Sequence, residues 1–411
     1  MAGEWRNTSL GEFVTLQRGH DLTDSERQSG EVPVVGAAGQ NGFHDTAIAR
    51  GPGVVVGRSG ASFGQVHYCE TDFWPHNTGL YVTDFRGNNP RFAFYFLKAI
   101  DFNRYNSGSA QPSLNRNFIY PIEVKIPPPD EQRAIAHILG TLDDKIDLNR
   151  RMNVTLEAMA RALFKSWFVN FDPVRAKAEG HDPGLPKAIA ELFPDRLVDS
   201  EFGEIPEGWT VSRLRDLTEY LSRGIGPSYV EEGGVGVLNQ KCIRDRRVNY
   251  EFARRHDPSK RSIEGRTLQR LDILINSTGV GTLGRVAQLL TVPETTIVDS
   301  HVSILRASAD TDPYFLGVAL SGRETDIEAL GEGSTGQTEL SRERLGSLEC
   351  LSPPPNLQTA FGRVAGALLS RLSKNEDASH TLASLRDVLL PKLISGELRV
   401  KDAGRSIGVA L

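Results

Sequence analysis

Two stretches decide how this chain is built: Pro127-Pro128-Pro129 running through Asp130-Glu131-Gln132-Arg133 to Leu163, and Pro353-Pro354-Pro355 running through Asn356-Leu357-Gln358-Thr359 to Leu389. They align at a fixed offset of 226 (Asn149 on Asn375) without a gap for about forty residues, with eleven identities that include Gln132/Gln358, Ala134/Ala360, Gly140/Gly366 and Leu142/Leu368. Within the first, Ile135, Leu142, Asn149, Leu156 and Leu163 recur every seven residues, and Leu139, Ile146, Asn153, Ala160 and Trp167 follow four residues behind them. The second repeats the pattern with Phe361, Leu368, Asn375, Leu382 and Leu389, joined by Ala365, Leu372 and Leu393. A sustained 4-3 alternation predicts coiled-coil helices. Each triple proline is a clean helix start, because proline suits the first helical position and disfavours helix just before it. Asn149 and Asn375 sit at the same middle seam position, where a polar residue fixes register and partner. Packed antiparallel about their midpoints, the helices would bring these two asparagines together and set Arg150-Arg151 against Glu376-Asp377. About 38 helical residues would span ~57 Å.

Upstream of the prolines the two halves keep their order. Trp5 with Leu10-Gly11-Glu12-Phe13 answers Trp209 with Leu214-Arg215-Asp216-Leu217, and Arg18-Gly19 answers Arg223-Gly224. Val54-Val55-Val56-Gly57-Arg58-Ser59-Gly60 answers Ile273-Leu274-Ile275-Asn276-Ser277-Thr278-Gly279, each an apolar strand running into a turn. A helix after Pro90 (Arg91 to Ile100) matches one after Pro313 (Tyr314 to Leu320), and the loop from Gly108 to Asn115 matches that from Gly333 to Ser341 with one inserted residue. The predicted fold is mixed α/β (α+β): two similar domains of short strands and helices, each followed by a long helix, the helices packed as an antiparallel coiled coil. The expected boundaries are 1–128 and 209–354 for the domains, 129–170 and 355–396 for the spacer helices, 171–208 for a connector with one short helix at Pro186 to Phe193, and 397–411 for a tail.

The composition bounds the function. At 411 residues the chain is long enough for two or three domains. Its 39% hydrophobic residues suffice for real cores. With 47 Lys+Arg against 52 Asp+Glu the net charge is -5, which excludes a polycation that grips nucleic acid by bulk charge but leaves room for local basic faces. Cys69, Cys242 and Cys350 lie far apart without a CxxC pair, which argues against a disulfide framework and a structural zinc site. Residues 1–13 lack a signal pattern and no run reaches ~18 apolar residues, so a cytoplasmic location is expected.

Motifs of enzyme chemistry do not hold together. Gly279-Val280-Gly281-Thr282-Leu283-Gly284 has the letters of a dinucleotide fingerprint, but Arg285 to Val292 reads as strand where the fingerprint requires a helix. Its counterpart Gly60-Ala61-Ser62-Phe63-Gly64 lacks the middle glycine, so the segment reads as a glycine-rich turn. Asn89-Pro90-Arg91-Phe92 and Asp312-Pro313-Tyr314-Phe315 lack the second proline of the amino-methyltransferase motif and read as helix caps. Glu123-Val124-Lys125, with Asp101 upstream, could close a nuclease metal motif, but its copy is Glu349-Cys350-Leu351 and a plain strand is the better reading. No metal site is expected from the nine histidines.

The domain-helix-domain-helix plan, the opening PPPDEQRAIAHIL, the helix end LEAMARALFKSWFVNFDPVRAK and its counterpart LRDVLLPKLISGELRV resemble the specificity (S) subunit of type I restriction-modification systems over nearly the whole chain. The resemblance implies a subunit without a catalytic centre, whose two domains each read one half of a split double-stranded DNA sequence and whose helices set the spacing and dock two modification subunits. Those partners would methylate adenine N6 with S-adenosylmethionine, and ATP and Mg would serve restriction subunits joined through the complex; no cofactor is expected in this chain. A stand-alone DNA methyltransferase or endonuclease is the alternative, and a helical scaffold a third.

Base readout needs polar side chains on loops that enter a groove. The repeated loops offer Arg58, Ser59, Gln65, Gln111, Asn115 and Arg116 in the first half, and Asn276, Ser277, Thr278, Arg285, Gln337 and Arg342 in the second. A basic stretch adds Lys241, Arg244, Arg246 and Arg247, followed by Arg254, Arg255, Lys260, Arg261, Arg266 and Arg270. Such charge would contact phosphates, which give affinity without sequence.

Overall fold

The structure, a computed structural model, describes residues 4–108, 111–201, 203–333 and 338–400. The chain divides into two compact units, one of residues 1–149 with 378–411 and the other of residues 150–377. Each unit therefore takes one end of each long helix.

In the first unit, Arg6–Ser9 pairs antiparallel with Glu123–Ile126, and the short α1 (Leu10–Phe13) follows under a capping box of Ser9 and Glu12. A four-stranded sheet orders Thr15–Arg18, Gly79–Asp84, Gly53–Gly57 and Val66–Cys69. A smaller sheet sets Val32–Gly36 between Gly39–His44 and the parallel Trp74–Pro75. Next come α2 (Pro90–Lys98) and α3 (Arg116–Ile119), then α4 (Pro129–Phe168), a helix of 40 residues. Val54–Val56 is apolar on both faces because both are covered, which is why it reads as a continuous run rather than an alternation.

The connector is more structured than one short helix. It folds as α5 (Asp172–Ala178), α6 (Lys187–Ala190) and a hairpin of Leu197–Ser200 with Gly203–Pro206. The reason is apolar: Phe171, Val174 and Phe193 are buried against Trp167, Phe168 and Trp209. Charged and proline-rich composition hid these few anchors.

The second unit repeats the plan. Thr210–Arg213 pairs with Glu349–Ser352, a 3-10 turn at Leu214–Leu217 stands where α1 stood, and the four-stranded sheet orders Thr218–Arg223, Val302–Ala307, Ile273–Asn276 and Val286–Gln288. Its second sheet again ends in a parallel pair, Val235–Leu238 with Thr296–Val298. The helices α7 (Pro313–Ser321), α8 (Glu324–Ala329) and α9 (Arg342–Gly346) precede α10 (Pro355–Ser395), of 41 residues.

The long helices run antiparallel. In the first unit Arg386 reaches Asp143 at 2.6 Å, Asn149 donates to Ser379 Oγ at 3.1 Å, and Ile135, Leu139 and Leu142 share a core with Leu389, Leu390 and Leu393. In the second, Asn375 donates to Asn153 at 2.9 Å, Phe164 packs on Phe361, and Leu156 and Leu163 join the cluster of Leu369 and Leu372. Asn149 and Asn375 are 2% and 4% exposed, and their cross-helix hydrogen bonds help to satisfy these buried amides. Leu368 and Leu382 are half-buried.

One device joins each domain to its own helix. The buried Gln132 accepts from Asn89 N–H (3.0 Å) and donates to Pro127 O (3.0 Å); the buried Gln358 accepts from Asp312 N–H (3.1 Å) and donates to Pro353 O (2.7 Å). Asn89 and Asp312 cap α2 and α7, as the capping reading requires. A Cβ on Gly140 would lie 2.7 Å from the Arg91 guanidinium, and one on Gly366 would lie 2.7 Å from the Tyr314 ring. The repeated glycines thus leave room for the side chain after each capping proline.

Candidate nucleic-acid interface

The strand Gly53–Gly57 ends in a loop that only glycine permits. A Cβ on Gly57 would lie 2.2 Å from Ser62 O, and Gly60 and Gly64 adopt φ of 84° and 76°. Arg58 N–H donates to Thr78 O and Arg58 O accepts from Leu114 N–H, both at 2.8 Å, and Ser59 bridges to Ser113. This backbone borders an open, polar groove of about 770 Å³ whose lining includes Gln17, Arg18, His20, Arg58, Asn115 and Arg116.

The nominated side chains fare differently there. Asn115 is the N-cap of α3, its oxygen accepting from Asn117 N–H at 3.0 Å. Arg116 is exposed and donates to Leu16 O at 3.0 Å. Among the described residues, no hydrogen bond or ion pair holds the Arg58 guanidinium. Gln65 and Gln111 are exposed but do not line the groove. Gln17, Arg18 and His20 were not singled out as candidates; the repeated Arg-Gly pair at 18–19 and 223–224 was the available signal.

In the second unit the corresponding loop is closed. Leu340 N–H donates to Ser277 O at 2.9 Å just as Leu114 does to Arg58, which makes Ser277 the structural counterpart of Arg58. Asn276 and Ser277 are both fully buried, and this corrects their nomination as base readers. Asn276 donates to Gln240 O at 3.1 Å, and Ser277 Oγ lies 2.6 Å from Ser303 Oγ. Short polar side chains at the strand end turn inward to bond their neighbours. Arg223 then seals the loop, donating to Leu340 O at 2.6 Å and pairing with Glu339. Thr278 bonds His301 Nδ1 at 2.8 Å, and Arg285 donates to Gly281 O at 2.9 Å. Arg342 is exposed beside Glu343, and Gln337 lies outside the described residues.

The basic stretch of the second unit is largely engaged within the protein. Arg247 meets Glu157 at 2.8 Å and Glu376 at 3.2 Å, and Arg246 donates to Ser321 O while meeting Glu157 at 3.5 Å. Asp245 and Arg246 both have positive φ, 51° and 60°, in the tight turn of the Ile243–Val248 hairpin that delivers these arginines to the helices. Arg254 stacks 3.4 Å over the Tyr229 ring, Arg261 donates to Gly226 O, Arg266 to Ser222 Oγ and Arg270 to Tyr314 OH. Lys241 and Arg244 remain exposed, the latter 3.6 Å from Asp245.

The enzyme-like motifs take up ordinary structural roles. Gly279, Gly281 and Gly284 all have positive φ and form the turn into the strand Val286–Gln288, with no helix behind it. Glu123 pairs with Ser9 in a two-stranded ladder, and Asp101 caps the 3-10 turn Phe102–Tyr105. The three cysteines are buried thiols, and burial pushes Cys69 up to about 12. Among the described residues no group of three His, Cys, Asp or Glu could hold a metal, and no helix is long and apolar enough to cross a membrane.

Two copies of one domain, each carrying a glycine-built loop at a strand end and each bonded to its own long helix, make the chain a tandem-repeat protein. Residues 2–158 match the family described as type I restriction modification DNA specificity domain. The chain is 25% identical over 364 residues to the HindI specificity subunit of Haemophilus influenzae, covering 75% of this chain and 77% of that protein. It is 26% identical over 328 residues to the MjaIX specificity subunit of Methanocaldococcus jannaschii, covering 76% and 69%. Its fold is similar to the S subunit of a type I restriction-modification system from M. genitalium, with a TM-score of 0.64 at 16% identity over 95% of this chain and 96% of that one. Over about three quarters of its length the chain is thus similar to specificity subunits of type I restriction-modification systems.

Proposed function

We propose that each unit reads one half of a split duplex sequence, and that α4 and α10 form the spacer between the two readings. The observation that carries this is the repeated topology, with the same two-stranded ladder, four-stranded sheet and capped helix in the same order but different side chains at the equivalent strand-end loops. Unequal half-sites on a shared scaffold require that combination. The expected layout follows, with domains at 1–128 and 209–354 and spacer helices from 129 and 355. The helix pair also docks two adenine-N6 methyltransferase subunits, and through them the restriction subunits. Met159 and Leu385 support this: they occupy equivalent positions of the repeat and are 52% and 36% exposed, so the same apolar contact is offered twice. S-adenosylmethionine, ATP and Mg serve those partners, and the complex works in the cytoplasm.

Helix length tests the spacer. A heptad is about 10 Å of helix, so removing one in register from both α4 and α10 shortens the gap between half-sites by about 3 base pairs. Adding one heptad to each lengthens it equally. Methylation mapping with the reconstituted complex reads the gap, and an unchanged gap in both variants contradicts the proposal.

A further inference from the structure

We propose that Arg58 reads a guanine in the half-site recognised by the first unit. The inference rests on the chain being a DNA recognition subunit and adds the residue and the base. A reading side chain must be held by its backbone and left free at its tip. Arg58 meets both conditions. Its N–H and C=O are bonded on both sides at 2.8 Å, and the glycines at 57, 60 and 64 fix the turn around it. Its guanidinium has no partner among the described residues and borders the 770 Å³ groove.

The neighbouring arginines are already committed. Arg116 is tied to Leu16 O, and Arg18 lies 3.5 Å from Asp21. Exposed cations at the groove rim suit the phosphates that flank a base, whereas the fork of Arg58 is free to meet guanine O6 and N7 together, the commonest specific contact in the major groove. The second unit cannot read in this way. Ser277 occupies the Arg58 position, fully buried, and Arg223 covers it. The two halves of the target are therefore read by different parts of equivalent domains.

The test uses this chain reconstituted with its modification subunits, a library of duplexes, and adenine methylation as the readout. Arg58→Ala is expected to relax one G·C position in one half-site by about tenfold to a hundredfold, leaving the other half-site and the thermal unfolding temperature unchanged. Arg58→Gln, which keeps a bidentate polar end, should shift that position towards A·T. An unchanged motif in both variants overturns the proposal. So does methylation weakened equally on all sequences, which marks a phosphate contact. If the unaltered complex shows no sequence preference at all, the recognition reading itself fails, an outcome distinct from failure of the Arg58 assignment.

Discussion

The loop after Val54–Val56 and the loop after Ile273–Ile275 share their anchoring backbone hydrogen bonds and have opposite chemistry. In the first, a bonded backbone carries the unheld guanidinium of Arg58 beside an open groove. In the second, Ser277 takes its place with no exposed surface, and the arginine nearby, Arg223, faces inward to Leu340 O and Glu339. A repeated scaffold can thus keep its strands, turns and caps while one substitution decides whether a position faces the solvent or completes the core. Equivalence of fold is compatible with different readout.

The sharpest way to break the comparison is at the features both halves share. Gln132→Leu and Gln358→Leu each orphan a backbone N–H and a proline carbonyl in a buried place, and each should cost about 3 kcal/mol in denaturant unfolding. A large inequality between the two would mean that the repeat is not energetically equivalent. Arg223→Ala comes next, at about 2 kcal/mol, because it strips its partner from the carbonyl of the buried Leu340, while Arg58→Ala should stay within about 0.5 kcal/mol. Equal costs at the two arginines would erase the contrast between sealed and open loops.

Smaller effects separate the helix caps. Asn89→Ala and Asp312→Ala should each cost about 1 kcal/mol. Asp312→Asn keeps the cap and tests charge alone. Burial raises the Asp312 carboxyl above its ordinary value, so its contribution favours the folded state when protonated and is lost as pH rises through the folded value. The Asn variant should therefore gain on the unaltered protein from acid towards neutral pH, a difference of unfolding midpoints measured across that range. A constant difference would show that the carboxyl feels no burial.

What was legible in the sequence is what short spacing determines. The 4-3 seam placed Ile135, Leu142, Phe361 and Leu389 in the core; the triple prolines marked the starts of α4 and α10; the Asn-Pro and Asp-Pro pairs capped α2 and α7; the glycine run at 279–284 was a turn. The site was less legible because a polar residue looks the same in sequence whether it bonds inward or faces a groove. Asn276 and Ser277 were hidden in that way, each bonded through its side chain to a residue 26 or more positions distant. Arg246 and Arg247 read as a phosphate-binding run until Glu157 and Glu376, far away in the chain, arrive beside them. Long-range partners decide the use of an arginine, and local pattern does not contain them.

Two equivalent units of one chain are proposed to read two unequal half-sites. Mapping N6-methyladenine across a random duplex library, with the chain and its modification subunits reconstituted, tests it most directly. The expected result is a single motif in two unequal parts separated by a fixed unread gap. A contiguous motif, two identical halves, or methylation without sequence preference would contradict it.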